Sequence, residues 1–204
     1  HPRYPISIPV LRKIAKNWMH EHRDLAAKNL GSLLTSLAKG ESSTEKCMVG
    51  VLLDYSTADQ RKFDPILFDK WLDHLIGWAE VDSVCTGNYT VTEIPLQWKV
   101  WKPLLTKLSA NKNINKRRAS LVLLCSPLRK IHDSRLADQA FKTVEKLKHK
   151  NDILITKAIS WVLRSMVKHY RKDLTAYLKE NSDTLPKIAV RETRMKLETG
   201  VKNK

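Results

Sequence analysis

Residues 155–170 read ITKAISWVLRSMVKHY, and this stretch decides the class of fold. At about 100° per residue, Ile155, Ile159, Val162, Leu163, Met166 and Tyr170 fall in one apolar sector. Lys157, Trp161, Arg164 and Lys168 fall on the opposite side. That period belongs to a helix with one buried face, predicted here over about 152–170. Outward from it, helices are predicted at about 94–109, 112–125, 133–149, 171–181 and 185–198. Towards the N-terminus, Ser7-Ile8-Pro9 caps a short helix carrying Val10, Leu11, Ile14 and Trp18 inward. A second runs from about Arg23 to Ala38, with Leu25, Leu30, Leu33, Leu34 and Leu37 inward and Gly40 as its stop. Ser42-x-x-Glu45 is a capping box opening a third, and Asp64-Pro65 opens a fourth. No segment alternates as a strand, so the fold is all-α. The helices arrive in pairs every 30 to 45 residues or so, which is the pattern of HEAT-like or armadillo-like repeats, whose inner helices line a curved groove.

The fourth helix leads into Trp71–Asp82, WLDHLIGWAEVD. If the helix runs through Gly77, then Trp71, Leu75, Trp78 and Asp82 share one face, and a carboxylate stands on an aromatic stripe. The alternative is that both tryptophans are core and Asp82 only caps the next helix.

Charge bears on that choice. Of the net +16, residues 1–98 carry 11 Lys/Arg against 12 Asp/Glu, residues 99–172 carry 19 against 4, and residues 173–204 carry 7 against 5. A field so concentrated favours a polyanion, with nucleic acid ahead of an anionic membrane. Asp82 lies just outside it. At 204 residues and 42% hydrophobic the chain suits one domain. Cys47, Cys85 and Cys125 are widely spaced and form no C-x-x-C pair, which excludes a disulfide framework and fits a reducing cytoplasm. No apolar run approaches the roughly 20 residues of a membrane span. The opening HPRYP, without an initiator Met, carries the expectation of a preceding N-terminal segment.

Three groups of side chains are candidates for chemistry. Trp161, among Lys157, Arg164 and Lys168, lies opposite the core face, where it either packs on a neighbouring repeat or meets a sugar or base among phosphate-seeking cations. In NKNINKRRASLVLLC, residues 111–125, Arg118 projects into an apolar sector while Lys116 and Arg117 point away. A buried guanidinium needs a partner, either a structural carboxylate or a phosphate or Asp82 at the groove. His20 and His22 diverge on a helix, so no metal site is predicted. Gly-rich phosphate loops, G-x-S-x-G and H-E-x-x-H are absent from the sequence, and with them the hydrolases that depend on these motifs.

Taken in order, GWAEVDSV, NINKRRASLVLL and ITKAISWVLRSMVK resemble the signature segments of the AlkD-like DNA alkylation repair glycosylases. The likeness extends from IPVLRKIAK at residues 8–16 to RET at residues 191–193. It implies one glycosylase domain over residues 1–204, a right-handed superhelical stack of HEAT-like repeats with a concave basic groove. By the same resemblance Asp82 is the catalytic carboxylate, Trp78 and Trp161 are aromatic walls beside the lesion sugar, and Arg118 is the phosphate-side arginine. Lys116, Arg117, Lys157, Arg164 and Lys168 are the expected DNA contacts. The sequence departs from the family in one place, with Asn115 where an aromatic usually follows Asn-Ile.

The chemistry suits these residues. A purine alkylated at N3 or N7 is already a cationic leaving group and needs no general acid. A carboxylate then stabilises the oxocarbenium-like C1′ and orients water. The expectation is a cytoplasmic, monomeric DNA glycosylase with no cofactor, no metal and no membrane, whose partner is duplex DNA carrying 7-methylguanine or 3-methyladenine. The alternatives are a non-catalytic helical-repeat DNA-binding scaffold and a HEAT-like protein-interaction module.

Overall fold

The computed structural model describes residues 2–201, so the expectation of a segment before His1 lies outside the described residues. Twelve helices and no strand occur among them. These are α1 (Ile8–Glu21), α2 (Ala27–Lys39), α3 (Ser43–Tyr55), α4 (Leu67–Trp71), α5 (Trp78–Cys85), α6 (Asn88–Leu96), α7 (Trp98–Ser109), α8 (Ile114–Lys130), α9 (Ser134–Leu147), α10 (Ile153–Met166), α11 (Arg171–Asn181) and α12 (Lys187–Thr199). The chain splits into two compact units, His1–Leu104 and Leu105–Lys204. No helix among the described residues is long and apolar enough to cross a membrane.

In the first unit α3 packs on α1, α2 and α5, so α1, α3 and α5 form a layer of alternate helices. The capping box is formed: the Ser42 hydroxyl accepts from Glu45 N at 3.2 Å, and the Glu45 carboxylate accepts from Ser42 N at 2.8 Å. The core is aromatic. Phe63, Phe68, Trp71, Tyr89 and Trp101 cluster, with the rings of Phe68 and Trp71 4.9 Å apart and those of Phe68 and Trp101 5.1 Å apart. On α1 the buried residues are Leu11, Ala15 and Met19; Val10 and Ile14, expected inward, are 49% and 46% exposed.

In the second unit α10 packs on both α8 and α12, again a layer of alternate helices, with α9 and α11 touching α10 as well. The face predicted for α10 is its core face. Ile155, Ile159, Val162, Leu163 and Met166 are wholly buried. Each such side chain stabilises the fold by about 1.5–3 kcal/mol.

Among the boundaries that differ from the sequence prediction, three have a clear physical cause. The central helix does not run through Gly77: α4 ends at Trp71 and α5 begins at Trp78, with Gly77 extended at φ −113° and ψ 159°. The buried Glu80 carboxylate fixes that break by accepting from Ile76 N at 2.7 Å. Helix α6 starts at Asn88, not near 94, because Asp54 of α3 accepts from Asn88 N at 2.8 Å, while Gly87 adopts φ +108° against the same carboxylate. Helix α8 continues past Pro127 to Lys130, where the single missing N–H falls in the last turn.

The layer that carries α5 has one critical contact. A Cβ placed on Gly50 of α3 would stand 1.8 Å from the Ser83 carbonyl oxygen of α5. Ser83 itself donates to Cys47 O at 2.8 Å. Gly50→Ala therefore forces α3 and α5 apart and lowers stability by about 3 kcal/mol or more. Thermal unfolding checks this; an unfolding temperature within a degree or two of the wild type would show that the helices yield freely.

Candidate functional site

In the first unit the candidates are Trp78 and Asp82. They occupy the first and fifth positions of α5, one turn apart, and so share a face. Trp78 is 58% exposed, whereas Asp82 is half-buried. The shared stripe proposed with Trp71 and Leu75 does not form, since the chain turns between the two helices. Trp71 is wholly buried and donates through Nε1 to the Thr35 hydroxyl at 2.9 Å, which makes it a core residue. The two tryptophans, joined by spacing in the sequence, have opposite fates.

In the second unit the α8, α10 and α12 layer forms a cleft of about 370 Å³ lined by Arg118, Lys157, Trp161, Arg164, Ile188 and Glu192. The side of α10 opposite its core therefore faces α12 in part, and Trp161 is half-buried. Trp161 thus has a neighbouring helix beside it and cations around it. Arg118 is 5% exposed and its guanidinium donates through Nη1 to the Leu154 carbonyl at 2.6 Å, which ties α8 to the first turn of α10. That contact places the guanidinium against a backbone carbonyl at the rim of the cleft.

The other basic residues divide. Lys157 is exposed on α10. Lys168 is also exposed, but α10 ends at Met166, so it stands in the turn that follows and not on the helix face predicted for it. Arg117 donates through Nη1 to the carbonyls of Asn111 at 2.8 Å and Lys112 at 2.7 Å, closing the turn before α8. Lys116, expected to point outward, is only 5% exposed. A side chain so covered, and outside the lining of the cleft, is poorly placed to reach a phosphate. The reason it turns inward is that α8 is buried along nearly its whole length from Asn115 to Leu128.

Two polar residues escaped the sequence. Glu192 of α12 is 8% exposed, accepts from the Ser160 hydroxyl at 2.5 Å and lies 3.3 Å from Arg164 Nε. Burial pushes the Arg164 guanidinium below its ordinary value, and Glu192 partly offsets this. The pairing joins residues 32 apart on different helices, for which no local spacing is a signal. His22 stacks on Trp18 with centroids 4.1 Å apart and bonds to Trp18 O at 2.8 Å. No group of three or more His, Cys, Asp or Glu residues placed to hold a metal ion occurs among the described residues.

Each unit is a layer of paired helices, as in a helical-repeat protein, the first with a carboxylate and an exposed indole on one helix face and the second with a cation-lined cleft that holds another indole. The chain belongs to the DNA alkylation repair enzyme family, whose model matches residues 2–197. A solved structure described as a predicted DNA alkylation repair enzyme from Enterococcus faecalis is similar, with a TM-score of 0.75 at 17% identity over 95% of this chain and 87% of that one. At that identity the likeness carries the fold alone. Among curated proteins no relative matches.

Proposed function

We propose that the protein is a DNA glycosylase that excises cationic N3- or N7-alkylated purines, such as 3-methyladenine and 7-methylguanine, from duplex DNA. The observation that carries this reading is the half-buried Asp82 carboxylate one helical turn from the exposed Trp78 indole, in a chain of a DNA alkylation repair family. The glycosidic bond breaks with its electron pair leaving on the base, which neutralises the base. Asp82 stabilises the positive charge that develops at C1′ and orients the water that adds there. Trp78 and Trp161 offer indole faces to cationic centres, each stabilising by about 0.5–2 kcal/mol. Arg118, Lys157 and Arg164, which line the cleft, and the exposed Lys168 contact the DNA backbone; Lys116, as covered as Arg118 but outside the cleft, and Arg117, engaged by the turn before α8, do not. No cofactor or metal enters the scheme, and a cytoplasmic monomer suffices for it.

The direct test is chromatography of the free base after incubation with methylated duplex DNA. Release of 7-methylguanine supports the reading; tight binding without release would favour a non-catalytic DNA-binding scaffold.

Backbone contact has its own signature. Affinity for undamaged duplex should fall steeply with salt, since each neutralised phosphate contributes about 0.9 to the log–log slope. Reversing charge at the exposed Lys157 and Lys168 should reduce that slope by about 2 while leaving the unfolding temperature within experimental scatter. An unchanged slope would move the DNA to another face.

A further inference from the structure

Arg164 is held in an unusual way for an arginine in a basic cleft. Its Nε donates to the Ser160 hydroxyl at 3.2 Å and lies 3.3 Å from the Glu192 carboxylate. The Ser160 hydroxyl in turn donates to that carboxylate at 2.5 Å, closing a three-membered network between α10 and α12. These contacts engage one edge of the guanidinium, and its two terminal amino groups have no hydrogen-bond partner among the described residues. The side chain is 14% exposed and lines the 370 Å³ cleft. Other cations stand close: burial and the charges of Arg164 and Arg129 all push the Lys196 ammonium below its ordinary value. A carboxylate at the Nε edge relieves that repulsion without covering the amino groups.

We propose that Ser160 and Glu192 are positioning residues that clamp the Nε edge of Arg164 and present its two amino groups as a fork for one backbone phosphate of duplex DNA. This rests on the DNA reading above. A guanidinium fork matches two phosphate oxygens only when its plane is fixed, so a clamp at Nε converts a flexible cation into a directed one. The carboxylate, which by itself repels phosphate, is in this arrangement turned towards the protein and shared between a hydroxyl and a guanidinium.

The test measures binding to undamaged duplex across about 50–200 mM salt, a range over which one lost phosphate contact lowers the slope by about 0.9 and changes the dissociation constant by about 3-fold. Arg164→Gln should show that loss. Ser160→Ala changes no charge and should reproduce most of it, yet add nothing in the Arg164→Gln background. Glu192→Gln, a second and independent variant, should also lower the slope. Ser160→Ala with the wild-type slope, or with an effect that multiplies that of Arg164→Gln, would overturn the clamp and leave only a packing role, visible as a lower unfolding temperature. A steeper slope in Glu192→Gln would equally overturn it, by showing that Glu192 merely masks Arg164. A wild-type protein whose binding ignores salt would sink the DNA reading itself, and the clamp with it.

Discussion

Asp82→Asn should lower single-turnover release of 7-methylguanine by about 100- to 1,000-fold, the scale on which removal of one preorganised group at a developing charge is felt. Asparagine has the shape of aspartate and keeps one acceptor oxygen, so α5 folds unchanged and duplex binding stays within about twofold of the wild type. In the proposed mechanism what is lost is the negative charge that stabilises C1′ as the bond breaks. The position supports this assignment: Asp82 shares the face of α5 with the exposed Trp78, and the Glu80 carboxylate and the close approach of Gly50 to Ser83 fix that helix. Release by the Asn variant at the wild-type rate would remove Asp82 from the chemistry and favour binding without catalysis.

The second large effect is a selectivity between lesions. In the proposed scheme Asp82 only stabilises charge and no group donates a proton to the base, so departure relies on the positive charge that alkylation has placed there. The protein should therefore release 7-methylguanine and 3-methyladenine but leave uracil and hypoxanthine at the uncatalysed background, even with enzyme in excess. In the same assay Trp161→Ala should slow release of the cationic bases by about 5- to 30-fold, which corresponds to about 1–2 kcal/mol of cation–π stabilisation. Single-turnover rates on otherwise identical duplexes decide the matter. Rapid release of either neutral base would require a protonating group or a base-reading pocket that this mechanism lacks.

Much of the first candidate pair was legible from local spacing. Trp78 and Asp82 are four residues apart, and any helix that holds both places them on one face. Trp71 was not legible in the same way, because the break at Gly77 depends on the buried Glu80 carboxylate holding Ile76 N, and the fate of the indole depends on Phe68 and Thr35. Lys116 illustrates the same limit on α8, whereas Arg118 is buried as its place in the apolar sector implies. Helical period sorts residues into faces, but a helix buried on nearly all sides has no outward face for Lys116 to take.

The sequence by itself determined the helical class, the capping box at Ser42 and Glu45, the core face of α10 and the concentration of positive charge in residues 99–172. These follow from period, cap chemistry and composition, all of which act within a few residues or need no geometry at all. Only the tertiary structure decided that Asp54 caps α6, that Trp71 is core while Trp78 is exposed, and that Ser160 and Glu192 hold Arg164. Each of these joins groups from separate helices, and an interaction between residues some 30 apart leaves no periodic trace, because its energy depends on how helices pack and not on the order in which the chain presents them.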